Sequence, residues 1–217
     1  MTISVFLADD HAVVRDGLRS LLEAQQDIRV IGDAADGRDA VRQVLELCPD
    51  VVVMDVVMPE LNGIDATQQV CEGCPTTQVI ILSMYSTSEH IFRALRAGAR
   101  GYLLKESAGY EVAEAIRAVY AGQRYLSKKI TDTVVDGYLR QSEISQVEGP
   151  LARLSPRERE ILQLVVEGKS SAEAANLLCL SPKTIDTYRS RLMEKLGIKD
   201  LPGLIKFAVQ HGLTPPL

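Results

Sequence analysis

Apolar residues along this chain switch between two periods. Short, mostly apolar runs, Ile3 to Ala8, Val30-Ile31-Gly32, Val51 to Met54, Val79 to Leu82 and Gly101 to Leu104, are each followed by a stretch in which apolar residues return every three or four positions. Val14, Leu18, Leu21 and Leu22 make the first such stripe, and Ala40, Val41, Val44 and Leu45 the second, within 36–47. Further helices are predicted from about Ile64 to Cys71, through Ile91 and Leu95 to a stop at Gly98, and from Val112 to Tyr120. Ser86-Thr87-Ser88-Glu89 reads as a capping box opening the fourth helix. Strands without polar alternates are buried on both faces, and parallel strands need crossover helices. Five strand-and-helix units therefore predict a five-stranded, doubly wound parallel α/β sheet over residues 1–122.

Beyond residue 122 only the helical period remains. Ile130, Val134, Val135, Tyr138 and Leu139 share one stripe, which predicts a linking helix from about Ser127. The aperiodic stretch from Gln141 to Leu151, with Gly149-Pro150, reads as a flexible tether that completes a joint over 123–150. Residues 151–217 are expected to form a separate all-α domain. Ser155-Pro156-Arg157-Glu158 combines a cap, a proline at the first helical position and an acid three residues on, followed by Ile161, Leu162, Val165 and Val166 until Gly168. A short helix follows from Ser171 to Leu178, and Ser181-Pro182 opens another that ends at Gly197, with Ile185, Tyr188 or Arg189, Leu192 and Leu196 facing inward. A last helix is predicted from about Leu201 to His211.

Composition narrows this picture in three ways. The 217 residues, 46% hydrophobic and 24% charged, suit two ordinary globular domains. No apolar run approaches the roughly 18 residues of a membrane span, and the first residues carry no basic leader, so the expectation is a cytoplasmic protein without a membrane partner. The net charge of −5 is uneven: residues 1–150 hold 14 Lys+Arg against 22 Asp+Glu, a balance of −8, and residues 151–217 hold 10 against 7, a balance of +3. A polyanionic partner is thus expected at the C-terminal domain. Cys71 and Cys74 form a CxxC, but no second CxxC or His pair completes a zinc site, and the four cysteines are read as packing side chains.

The polar residues at the strand ends carry the candidate chemistry. Asp9 and Asp10 close the first strand, Asp55 the third, Ser83 the fourth and Lys105 the fifth, and in an open α/β sheet these ends lie along one edge. Taken singly they have plainer readings: a strand-end Asp can be a helix cap, Lys105 a solvated charge, Tyr102 packing, and His11 an orienting or surface group. Gathered together, three carboxylates repel unless a cation sits among them, and oxygen donors suit Mg²⁺. Asp55 could then attack a phosphorus atom, with Lys105 and the Ser83 hydroxyl meeting the phosphoryl oxygens.

The set Asp9-Asp10, Asp55, Ser83 and Lys105, with Tyr102 three residues before the lysine, resembles the receiver domain of bacterial two-component response regulators, a flavodoxin-like fold, over residues 1–122. The resemblance implies that Asp55 accepts a phosphoryl group from a sensor histidine kinase. It further implies that Mg²⁺ is held by Asp9, Asp10, Asp55 and the Val57 carbonyl, and that Ser83, Tyr102 and Lys105 form the switch. Lys105 is followed by Glu106 where proline is frequent, which puts the turn after that strand in question.

Two helices a few residues apart, the second carrying Lys183, Thr184, Asp186, Thr187, Ser190 and Arg191 off its buried stripe, make a helix-turn-helix whose small polar residues could approach base edges. The run from Leu154 to Ile198 resembles the LuxR-type helix-turn-helix of the NarL/FixJ response regulators. Those six residues then correspond to the DNA-reading face, although Asp186 and Tyr188 depart from the commoner residue types. The combined resemblance implies a transcription regulator, activated on Asp55, that binds promoter DNA as a homodimer with half-sites about 10 base pairs apart or a multiple. It leaves RNA polymerase open as a further partner. The rival from another class, a Mg²⁺-dependent phosphotransfer enzyme, needs an acid–base residue two positions after the nucleophile, where this chain has Val57. A small-molecule sensor would need an apolar pocket that the acidic cluster does not offer.

Val57 cannot place an attacking water through a side-chain hydrogen bond, so we expect phospho-Asp55 to hydrolyse slowly. A lifetime of only seconds for the phosphorylated protein, followed by intact mass, would contradict this.

Overall fold

The computed structural model describes residues 2–141 and 150–214, without the side chains of 136–141 and of Ala152. The chain divides into two compact units, Met1–Ser145 and Gln146–Leu217. The predicted tether lies mostly outside the described residues, as do the side chains of Tyr138 and Leu139 in the predicted stripe.

The first unit contains the strands β1 (Ile3–Ala8), β2 (Ile28–Ala34), β3 (Val51–Asp55), β4 (Gln78–Ser83), β5 (Gly101–Leu104) and β6 (Tyr125–Leu126). They form one parallel sheet in the order β2-β1-β3-β4-β5-β6. The helices α1 (Ala12–Glu23), α2 (Gly37–Leu47), α3 (Gly63–Gly73), α4 (Ser88–Arg96) and α5 (Ala108–Tyr120) are the crossovers, and α6 (Lys128–Gln141) follows. The sheet has six strands rather than the expected five. Tyr125 and Leu126 pair with Gly101 and Tyr102, but a two-residue strand is too short to show a period.

Alternating residues of each strand feed two cores. Val5, Leu7, Val51, Val53, Ile80, Leu82 and Leu103 pack with Leu18 and Leu22 of α1 and Val112, Ile116 and Val119 of α5. Phe6, Val52, Met54, Val79, Ile81 and Tyr102 pack with α2, α3 and α4 through Val44, Val70 and Ile91. Double burial is why these strands are almost purely apolar, and Leu21, which the helical spacing placed with its neighbours, is exposed.

The expected linking helix forms as α6, whereas one capping expectation is corrected. The predicted linking helix α6 is docked on this unit, with Ile130 fully buried and Val134 packed against the α2–α4 core. The predicted capping box at α4 does not form: Thr87 is the N-cap, and its hydroxyl contacts His90 Nδ1 at 2.7 Å instead of an amide of the first turn.

The second unit begins with a 3-10 turn, Pro150–Arg153, followed by α7 (Pro156–Val166), α8 (Ser171–Leu178), α9 (Pro182–Leu196) and α10 (Leu201–Gln210). Its core joins Ile161, Leu162, Val165, Ala174, Leu178, Ile185, Leu192, Leu204 and Leu213. The capping box of Ser155 and Glu158 is present, and a second, from Ser170 and Glu173, opens α8. Ser181 caps α9 by accepting from the Thr184 amide, and Gly197 ends it in the left-handed region at φ 67°. No described helix is long and apolar enough to cross a membrane.

Candidate functional site

The C-terminal ends of β1, β3 and β5 bring Asp9, Asp55 and Lys105 into contact. Lys105 Nζ lies 2.7 Å from Asp55 Oδ2 and 2.7 Å from Asp9 Oδ2. Asp55 Oδ1 accepts from the Val56 amide at 2.7 Å, and Asp9 Oδ1 accepts from the His11 amide at 2.9 Å. Asp10 points its Oδ1 at His11 Nδ1, 2.6 Å away. Asp9 and Asp55 are buried, whereas Asp10 is partly open. The Lys105-Glu106 junction does not displace the lysine: the turn after β5 is closed by hydrogen bonds from the Ser107 amide, 3.0 Å, and hydroxyl, 3.2 Å, to the Leu104 carbonyl.

The loop after β3 is held tightly. Asn62 caps α3 by accepting from the Ile64 and Asp65 amides, and the Gly63 amide donates to the Val56 carbonyl at 2.8 Å. A Cβ on Gly63 would lie 1.7 Å from the Asp55 carbonyl oxygen, so only glycine allows α3 to start this close to β3. Val57 packs its partly buried side chain against the α2–α4 core, leaving its backbone as its polar contribution.

The donor set suits a hard divalent cation. Carboxylate oxygens of Asp9, Asp10 and Asp55, with His11, lie within 4.8 Å of one another. Asp9 Oδ2 and Asp10 Oδ1 are buried and receive no well-formed hydrogen bond, being answered only by the Lys105 and His11 nitrogens. Such oxygens are what a six-coordinate oxygen-loving ion takes up. Burial, against the pull of Lys105 and reinforced by the Asp9 charge, pushes the Asp55 carboxyl up to about 6. Burial opposes the Lys105 ammonium, but Asp55 and Asp9 outweigh it and raise its pKa.

Ser83 and Tyr102 lie beside this cluster, joined through a residue that sequence reasoning missed. The Tyr102 hydroxyl donates to the Tyr85 carbonyl at 2.8 Å, while the Tyr85 amide donates to Ser83 Oγ at 3.0 Å. Tyr102 is fully buried, and burial pushes its hydroxyl up to about 12. Tyr85 also stacks on His90 with ring centroids 4.8 Å apart. Arg15 was missed as well: its guanidinium donates to the Asp9 carbonyl at 2.6 Å and to Asp33 at 3.1 Å. Nothing in the local pattern of α1 distinguishes it from Arg19.

In the second unit α9 presents Lys183, Asp186, Thr187, Ser190 and Arg191 to solvent, with Thr184 half-buried. Of the two candidates for the inner face, Tyr188 joins the core. Asp186 does not pair with a neighbouring arginine among the described contacts. Its Oδ1 accepts from the Ser171 hydroxyl at 2.6 Å, tying α9 to the first turn of α8. Thr187 and Ser190 donate back to the Lys183 and Asp186 carbonyls, at 2.9 and 3.0 Å, so both hydroxyls keep acceptor capacity toward solvent. At the other end of α9, Lys195 Nζ meets both oxygens of buried Glu158 at 2.7 and 2.8 Å, fixing α9 on α7.

A raised acid pKa makes the folded state bind more protons than the unfolded one between 3.8 and about 6. The Asp55 contribution to stability is therefore present below this window and lost as the pH rises through it, by about 3 kcal/mol. In chelating buffer, urea unfolding of the wild type should show this loss between pH 4 and 7 relative to Asp55→Asn. Parallel profiles for the two proteins would contradict it.

Residues 5–117 match the family model of the response regulator receiver domain, and residues 152–208 match that of bacterial regulatory proteins of the luxR family. The chain is 38% identical over 215 residues to the oxygen regulatory protein NreC of Staphylococcus epidermidis, covering 97% of this chain and 99% of that protein. It is similar in structure to the RcsB response regulator of Salmonella typhimurium, with a TM-score of 0.66 and 27% identity over 97% of this chain and 98% of that one. It is also similar to RcsB in a complex with DNA, with a TM-score of 0.59 and 25% identity over 95% and 98%. The chain belongs to the two-component response regulators that join a receiver domain to a LuxR-type DNA-binding domain, a family of transcription regulators.

Proposed function

We propose that Asp55 takes its phosphoryl group from a phosphohistidine of a sensor kinase, and that phosphorylation promotes dimerisation and promoter binding by this cytoplasmic regulator. The observation that carries the reading is the Lys105 ammonium placed 2.7 Å from both buried carboxylates. In the transfer, an Asp55 carboxylate oxygen forms the new O–P bond while the P–N bond to the kinase imidazole breaks and the imidazole keeps the electron pair. Asp9, Asp10, Asp55 and the Val57 carbonyl would hold Mg²⁺, which would supply neutralisation of the charge on the transferring group. Lys105 can leave Asp9 and Asp55 to pair with a phosphoryl oxygen, because its ammonium already lies 2.7 Å from the Asp55 carboxylate. The Ser83 hydroxyl can donate to another phosphoryl oxygen, and moving toward it would weaken its acceptance from the Tyr85 amide and so loosen the hold of Tyr85 on Tyr102.

Val57 supports a regulator rather than a phosphohydrolase, since its side chain offers no acid or base. We take 1–122 as the receiver, 123–150 as a joint whose helix docks on it, and 151–217 as the DNA-binding domain. On α9 we assign Asp186, Thr187 and Ser190 to base edges and Lys183, Thr184 and Arg191 nearer the phosphates, with promoter DNA read as a homodimer.

The test is binding to the promoter DNA of the regulated gene by gel shift. Phosphorylated wild type should bind at least about tenfold more tightly than Asp55→Asn treated alike, a difference of about 1.4 kcal/mol. Lys183→Ala should weaken binding to all sequences and lower the salt slope by about one. Equal binding by phosphorylated protein and Asp55→Asn would overturn the reading.

A further inference from the structure

The CxxC of Cys71 and Cys74 does not bring its own sulfurs together. Cys71 faces the end of α4, where a Cβ on Gly98 would lie 2.7 Å from its Sγ. Cys74, the last residue of α3's cap, faces α2 instead, and its Sγ lies 2.9 Å from Sγ of Cys48, the C-cap of α2. The pairing spans 26 positions of sequence. Both are free thiols, Cys48 exposed and Cys74 buried. Their backbones are fixed by the helix ends: the Cys48 amide donates to the Val44 carbonyl and the Cys74 amide to the Val70 carbonyl, each at 2.8 Å. The two helices also pack closely here, since a Cβ on Gly73 would meet Leu45 Cδ2 at 2.4 Å.

We propose that Cys48 and Cys74 form a redox-active dithiol that closes to an intramolecular disulfide when hydrogen peroxide reaches the exposed Cys48. The Cys48 thiol is oxidised to a sulfenic acid, with one oxygen of the peroxide transferred to sulfur and one molecule of water released. The Cys74 sulfur then attacks Cys48 Sγ: the S–S bond forms, the S–O bond breaks, and the hydroxyl leaves as a second water with the thiol proton. Two thiols are oxidised and one peroxide is reduced to two waters. Polar neighbours favour the attacking sulfur. The Thr77 hydroxyl, 2.7 Å from the Pro49 carbonyl, also lies 3.3 Å from Cys74 Sγ and can turn its one hydrogen to either. Burial opposes ionisation of Cys74, but the hydrogen bonds of Cys48, Thr77 and Thr76 outweigh it and lower its pKa, while the Cys74 sulfur raises that of Cys48. Among the described residues Cys71 has no comparable thiol partner, and burial raises its pKa.

The pair lies just before β3 and β4, at the sheet edge opposite Asp55, so the disulfide would staple α2 to α3 without occupying the carboxylate cluster. The test uses the full chain carrying Cys179→Ser, so that the exposed thiol of the second unit cannot cross-link copies. Hydrogen peroxide treatment should lower the intact mass by 2 Da, reversibly with dithiothreitol, a change of about two hydrogens per disulfide. Peptide mapping should place the bond between Cys48 and Cys74, and the melting temperature should rise by several degrees. Cys48→Ser, at an exposed site, and Cys74→Ser should each abolish the mass loss, with circular dichroism reporting that both remain folded. No mass loss in the folded Cys179→Ser protein, a Cys71–Cys74 bond, or stable sulfinic acid without a cross-link would overturn the proposal.

Discussion

Two buried carboxylates cannot share one edge of a sheet without a cation between them, and Lys105 supplies it at 2.7 Å from each. The rest of the first unit serves that contact. β1, β3 and β5 are parallel and deliver their C-terminal ends to one side, while almost purely apolar strands buried on both faces keep those ends from shifting. Asn62 and Gly63 start α3 directly against β3, so the backbone that carries Asp55 cannot relax away from the lysine. The arrangement is stable but strained electrostatically, because among the described residues Asp9 Oδ2 and Asp10 Oδ1 are answered only by the Lys105 and His11 nitrogens and Asp55 is held up to about 6. A site in this condition gains from a divalent cation and from an anionic group that takes over the lysine.

What was legible in the sequence follows from which signals are local. A strand buried on both faces must be a continuous apolar run, so β1, β3, β4 and β5 and their polar ends could be read directly, and from them the convergence of Asp9, Asp55 and Lys105. Caps are local too, and Ser155, Ser181 and Gly197 act as the pattern indicates. The α4 start misled because Ser86 to Glu89 carries the right letters, while the Thr87 hydroxyl has a competing partner in His90. β6 has too few residues for a period and exists because β5 offers it an edge. The linking helix was visible as an amphipathic stripe, but which surface takes up Ile130 is a tertiary fact.

Contacts between distant positions that do not close a strand were not legible. Arg15 on the Asp9 carbonyl, Tyr85 between Ser83 and Tyr102, Ser171 on Asp186 and Cys48 beside Cys74 each join elements through a side chain whose type is unremarkable where it stands. Asp186 illustrates the consequence: the fold gives it a serine of the preceding helix as its partner. In the second unit this contact and the Lys195–Glu158 pair fix both ends of α9, so its polar face is rigid. Rigid side chains on a helix with a surrounding positive balance are what reading a DNA groove asks of a protein.

The central claim is that the carboxylate cluster accepts a phosphoryl group on Asp55 and thereby changes the state of the chain. Incubation with acetyl phosphate and Mg²⁺, read by intact mass and by size-exclusion light scattering, tests it most directly. The account expects the mass of one phosphoryl group, about 80 Da, on the wild type but not on Asp55→Asn, with a shift from monomer toward dimer in the modified protein alone. An unmodified wild type, or the same modification on Asp55→Asn, would contradict it.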